Sequence, residues 1–188
     1  MLRVVASLTL CLSFGSCDAS TQGDVAPASR VGDADDVAPT VGDEPLAGGL
    51  ASLDELGHAV VAALNARDAE ALVALAIDEA EYTGRLFPAI ATHPGAESMG
   101  RDLLWDMHIR QSRDDMQRAL GRHGGANLSF VRFEPRRTVR RAGVVFHERP
   151  HLVVRGEDGA EHTLQILASL VEHESTQTFK LLGFRDHD

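Results

Sequence analysis

The sequence predicts an α+β domain in which N-terminal helices pack on a C-terminal four-stranded antiparallel meander, and three observations carry that reading. Between residues 52 and 123, apolar side chains recur at helical spacing behind residues suited to helix N-caps. After Gly124-Gly125 the composition turns to β-branched and aromatic residues in short runs separated by turn signals. Residues 51–188 also form a stretch long enough to bury a core unaided, because staples such as disulfides or metals are needed below about 70–80 residues.

The helical half opens at Ser52-Leu53-Asp54-Glu55, a capping box in which the serine hydroxyl accepts from the N3 amide while Glu55 reaches back. Leu53, Leu56, Val60, Val61 and Leu64 then mark one buried stripe. Asn65 to Asp68 reads as a turn, and Asp68 caps a short second helix through Leu72 and Leu75. Asp78, three residues before Glu81, signals a third helix carrying Tyr82 and Leu86, with an end expected at Phe87 because a residue before proline avoids helical geometry. His93-Pro94-Gly95 reads as a loop. Ser98 is the expected cap of a helix through Leu103, Leu104, Met107 and His108, and Ser112 with Asp115 reads as a second cap restarting it through Met116, Ala119 and Leu120. Gly124-Gly125 stops the helix.

Four strands are expected, near residues 127–134, 143–155, 161–172 and 177–185. Glu157-Asp158-Gly159 supplies one tight turn and Glu174-Ser175 the next. On the third strand Leu164, Ile166, Ala168 and Leu170 alternate, so their face is the one expected against the helices. This order of elements resembles the cone of the nuclear-transport-factor-two-like (cystatin-like) superfamily. The resemblance covers about 51–188 and implies a helical half lying in the concavity of a curved sheet. Stretches 73–82 and 112–125 also resemble segments of bacterial envelope proteins, which imply no activity.

Ahead of the domain, residues 1–16 have the layout of an export signal: Arg3, an apolar run from Val4 to Phe14, then the small residues Gly15 and Ser16. The run is well short of the roughly 20 residues needed to span hydrocarbon. Phe14-Gly15-Ser16-Cys17 resembles the bacterial lipobox, and the resemblance implies lipid attachment at Cys17 and removal of what precedes it. Cys11 falls in the discarded segment, so Cys17 is the only cysteine of the mature chain and no intrachain disulfide forms. Residues 17–50 are then a lipidated cysteine and an acidic linker, rich in Asp, Ala, Gly, Pro and Val, with a composition that favours disorder. The expected location is the cell envelope, anchored to a bacterial membrane. Asp18 resembles an inner-membrane retention signal, which leaves the choice of membrane to the host.

The formal net charge is −10, and an acidic chain is repelled by phosphate backbones, so nucleic acid is not an expected partner. The expected partners are the membrane, through the lipid, and a small apolar ligand or an envelope protein. Nine histidines invite a metal reading, and His147, His151 and His162 are near enough along adjacent strands to meet. The chain nevertheless has no CxxC spacing, and exposed sheet-face histidines with no metal and no cofactor are expected. Nucleophile motifs of the GxSxG and SxxK kinds are missing from the sequence as well. The basic run Arg136, Arg137, Arg140 and Arg141 has the chemistry of an anion or phosphate site, but in a net acidic domain a solvated hairpin or loop balancing nearby acids is the expected reading.

In enzymes of the cone superfamily that resemble ketosteroid isomerase, a carboxylate or histidine acts as base beside an orienting Tyr or Trp. Here Tyr82, Trp105, Asp106 and His108 are the residues of those types, yet none matches a family motif, so no catalytic residue is assigned. Trp105 and His108 are one helical turn apart, which puts them on one face with Asp106 elsewhere. Core packing by Tyr82 and Trp105, with His108 at its rim, is the expected use, and Tyr82, Trp105 and His108 are also the candidate ligand-pocket residues of a binding module. A hydratase- or isomerase-like enzyme using the same cavity is the alternative.

Overall fold

The computed structural model describes residues 42–90 and 98–186. The export signal, Cys17, the acidic segment through residue 41 and the His93-Pro94-Gly95 loop lie outside the described residues. Among the described residues, helices precede strands in an α+β arrangement, with seven strands in two antiparallel sheets instead of one four-stranded meander.

Helix α1 (Leu53–Ala66) begins at Ser52, whose Oγ accepts from Glu55 N at 3.1 Å. Glu55 reaches back one residue further than a closed box requires, accepting from Ala51 N at 2.9 Å. Leu56, Val60, Val61 and Leu64 of the expected stripe are buried, and Leu53 is half-buried against the same core. Gly57 lies where α1 meets the first strand: a Cβ there would sit 2.1 Å from a ring carbon of Phe130, so only glycine permits this approach. Helix α2 (Ala69–Ala74) is capped by Asp68, which accepts from Ala71 N at 2.9 Å.

Helix α3 (Glu79–Glu81) has a complete capping box between Asp78 and Glu81. It does not end before Pro88. The chain widens into a π-helical turn over Tyr82–Leu86 and continues as α4 (Phe87–Ile90) through the proline. The wider turn, closed by Phe87 N–H on Tyr82 O, breaks the regular i→i−4 ladder just where proline has no N–H to give. Helix α5 (Arg101–His123) is uninterrupted and is capped at Gly100, so neither Ser98 nor Ser112 acts as its cap. Ser112 is buried mid-helix, and its Oγ accepts from Phe184 N at 3.0 Å, which removes it from local competition with the helix backbone. Asp115 is buried too and pairs with Arg118. Among the described residues, no helix is long and apolar enough to cross a membrane.

The strands are β1 (Ser129–Glu134), β2 (Arg137–Arg141), β3 (Val144–Glu148), β4 (His151–Arg155), β5 (Glu161–Leu164), β6 (Leu167–His173) and β7 (Thr178–Phe184). One sheet has the order β1-β4-β5 and the other β2-β3-β6-β7. The two long strands expected at 143–155 and 161–172 are each divided, the first at Arg149-Pro150 and the second at Gln165-Ile166. Pro150 cannot donate to a ladder, and Arg149 turns away with φ 47 while its N–H bonds Ala168 O at 2.9 Å. The register of β6 on β7 shifts between Leu167 and Leu170. That shift resets the expected alternation: Leu164, Ile166, Leu167 and Leu170 are core residues, whereas Ala168 is only half-buried. The basic run supplies β2, the edge strand of a hairpin closed by Ala142-Gly143, both at positive φ.

Two apolar cores result. One gathers α1, α2, the C-terminal half of α5 and residues of β4 to β7 around Leu56, Leu64, Met116, Leu152 and Leu181. The other joins Tyr82, Leu86, Ala89 and Trp105 to Val144, Phe146 and Val171 of the four-stranded sheet. Helix α5 contributes to both. Residues 42–50, which composition assigns to the linker, dock on this domain: Leu46 is buried, Leu50 pairs with Phe179, and the Gly42 carbonyl accepts from His173 Nε2 at 2.8 Å.

Candidate functional site

Between the two cores, helix α5 turns polar, and there His108 and Ser112 face the end of β7. Gly183 sets their approach: a Cβ on it would lie 2.8 Å from His108 Cε1 and 3.1 Å from Ser112 Oγ. His108 Nε2 donates to the Leu182 carbonyl at 2.8 Å. Burial holds the His108 imidazole below its ordinary pKa, with the Leu182 hydrogen bond opposing in part, so the neutral ring is favoured. A cleft of about 440 Å³ opens here, lined by His108, Gln111, Ser112, Ala168, Phe184 and Arg185.

The three candidate pocket residues do come together. Tyr82 and His108 stack with ring centroids 5.6 Å apart and planes 11° from parallel, and Trp105 lies 5.1 Å from Tyr82 and 5.9 Å from His108. Tyr82 and Trp105 are 6 % and 8 % exposed members of the second core, and neither lines the cleft, so only His108 remains at a cavity wall. Burial also raises the Tyr82 phenol pKa. Asp106 is exposed on the opposite side of α5, as the helical spacing requires.

No family model, no curated protein and no solved structure matches the chain. The chemistry of the site must therefore be read from its own groups.

The histidines do not converge. His147 is buried on β3 with Nε2 3.1 Å from Glu172, His151 lies beyond the Pro150 bend in the other sheet, and exposed His162 sits 3.5 Å from Asp158. His147 thus departs from the exposed sheet-face reading. Among the described residues, no group of three or more His, Cys, Asp or Glu is placed to hold a metal. Of the basic run, Arg137 and Arg140 face Glu148 and Glu174 at 3.8 and 2.9 Å, and Arg136 turns to His151 and Gln165.

Sequence reasoning missed Ser112 and Arg185 as cleft residues and Glu81–Lys180 as a buried ion pair. Lys180 Nζ lies 2.7 Å from Glu81 Oε2 and donates to Ala47 O at 2.8 Å, while Glu81 accepts from Ala47 N at 2.7 Å and Asp78 N at 3.1 Å. That cluster is structural: it clamps residues 42–50 to α3 and β7.

Proposed function

We propose that the chain is a lipid-anchored envelope protein whose domain is a binding module, holding a small ligand between α5 and the strand ends at 168 and 184–185. The cleft beside His108 carries this reading. Its volume of about 440 Å³ falls in the range of roughly 300–1,000 Å³ that small-molecule sites occupy, and its lining mixes an aromatic wall with a few placed polar groups. Phe184 offers apolar surface, Arg185 a cation, and Gln111 both a donor and an acceptor.

Binding suits the groups better than catalysis does. Proton transfer needs a base and a partner acid within reach of one substrate, and no carboxylate lines the cleft among the described residues. The lipobox resemblance of Phe14-Gly15-Ser16-Cys17 is what supports the anchor at Cys17.

The test uses 8-anilinonaphthalene-1-sulfonate, whose rings and sulfonate match Phe184 and Arg185. Its fluorescence should rise saturably with the folded chain, and Ala168→Leu, which fills the cleft from the sheet side, should weaken the titration. A titration without saturation, or one indifferent to Ala168→Leu in a folded variant, would remove the cleft as the site.

A further inference from the structure

A second cavity lies at the seam where both long strands bend. Its walls come from four separate places in the chain: Arg136 between β1 and β2, Arg149-Pro150-His151 at the first bend, Gln165 and Leu167 at the second, and Arg185 after β7. Among the described residues seven line it, three of them arginines and none acidic, in a protein of net charge −10. The overall field of such a chain disfavours anions, so the concentration of positive charge here is local and built by the fold.

We propose that this cavity is an anion site that takes the phosphate or carboxylate group of a small molecule. The backbone under each arginine is pinned across the seam: Arg136 N–H bonds Glu148 O at 3.2 Å, Arg149 N–H bonds Ala168 O at 2.9 Å, and Arg185 N–H bonds Ile166 O at 3.0 Å. Side chains on fixed backbone lose less freedom when they close on a ligand. Arg136 is oriented further by partners that carry no negative charge, with Nε donating to His151 Nε2 at 3.1 Å and Nη2 to Gln165 Oε1 at 3.5 Å. These contacts hold the guanidinium without cancelling its charge, and they leave donors on it unspent.

Arg149 and Arg185 differ from most surface arginines of this chain. Among the described residues, neither guanidinium has a hydrogen-bond or ion-pair partner, whereas Arg132, Arg137, Arg140 and Arg155 each face a glutamate. Two unspent guanidinium forks and the free edge of a third match the several oxygens of a phosphate or carboxylate, which planar arginines bind in bidentate fashion. Pro150 and buried Leu167 form apolar walls that keep the local dielectric low and strengthen the attraction. The cavity measures about 100 Å³, several times the roughly 10–15 Å³ that one water needs on this scale. It therefore accommodates one oxyanion group, with the remainder of the ligand in solvent.

The site is separate from the cleft beside His108 in its test, because Arg136 and Arg149 do not line that cleft. Isothermal titration calorimetry of the full chain with inorganic phosphate and with acetate, at constant ionic strength set by chloride, should show saturable one-site binding of at least one of them. Saturation by phosphate alone assigns a phosphate-bearing ligand, and saturation by acetate a carboxylate. The doubly substituted R136Q/R149Q chain should bind about tenfold or more weakly, the loss expected for charge-assisted bonds, while Arg140→Gln, outside the cavity, should bind as the wild type does. Arg136→Gln alone, on an exposed turn, carries the comparison if the double variant does not fold. Absence of saturation with both anions, or equal affinity in a folded variant lacking these arginines, overturns the proposal.

Discussion

Replacing Lys180 by Met tests whether the Glu81–Lys180 pair is as deeply committed as its burial implies. Both side chains are nearly inaccessible, at 3 % for Lys180 and 5 % for Glu81, so the substitution leaves a carboxylate in the interior without its cation. It also strips the Ala47 carbonyl of the ammonium that donates to it at 2.8 Å. Breaking a buried pair from one side costs about 3–5 kcal/mol. The two backbone amides that still donate to Glu81, from Ala47 and Asp78, stabilise the remaining charge and place the expected loss near the lower end, about 3 kcal/mol. Against a typical domain stability of about 5–15 kcal/mol that is a large fraction. Urea denaturation followed by far-ultraviolet circular dichroism should show the midpoint falling with little change in slope. Adding Glu81→Leu to Lys180→Met should recover part of the loss, since the orphaned charge goes with it. A cost below about 1 kcal/mol would mean that the pair behaves as an exposed one and that residues 42–50 are not held as described.

Three further outcomes are expected. Mass spectrometry of the wild-type N-terminal peptide from a bacterial host should find Cys17 acylated, and Cys17→Ala unmodified; an unmodified Cys17 on the mature chain ends the anchoring claim. Limited proteolysis should leave a core that begins at or before Gly42, because Leu46 is buried and Leu50 pairs with Phe179; a stable core starting near Ala51 would contradict that docking. Burial depresses the His108 pKa in the folded chain, so the unfolded chain takes up the proton first, near pH 6.5, and the stability this group contributes is present above that pH and lost as pH falls through the folded value. The denaturation midpoint should therefore drop on acidification and drop less in His108→Gln, which keeps a donor for Leu182; identical slopes would refute the assignment.

Signals that act within a few residues were legible in the sequence. Ser52, Asp68 and Asp78 cap the helices expected of them, and Gly159 takes positive φ in the expected turn. Long-range partners were not. Ser112 reads as a cap because a serine among polar residues favours helix ends, and the amide that satisfies it belongs to Phe184, 72 positions away. The division of 143–155 did have a local sign, since Pro150 is poorly placed inside a paired strand. The matching break at Gln165-Ile166 had none, because it follows from pairing with the first. The Trp105–His108 spacing revealed their shared face, whereas the stacking of Tyr82 on it from another helix had no local sign. Arg149 and Arg185 are single arginines in unremarkable surroundings, and only the bends bring them together.

Replacing Gly183 by Ala connects the fold to the cleft most directly. A sheet that ran unbroken from β3 into β4 and from β5 into β6 would offer one apolar face and one core. The bends divide it, and helix α5, long enough to serve both cores, must cross the interval with polar residues because neither core covers it there. At that crossing the backbone of β7 comes within reach of His108 and Ser112, and it does so only because residue 183 has no side chain. The added methyl would meet His108 Cε1 at 2.8 Å, and both it and Ser112 are fixed by bonds to the β7 backbone, so the ring cannot yield without losing Leu182. Overpacking of this kind costs about 1–3 kcal/mol. The folded variant should show weakened dye binding at the cleft and unchanged anion binding at the basic cavity, since α5 does not line the latter. Loss of both together would mean that the two sites respond to the seam as one unit, and preservation of both would show that α5 and β7 are held apart by more than this contact.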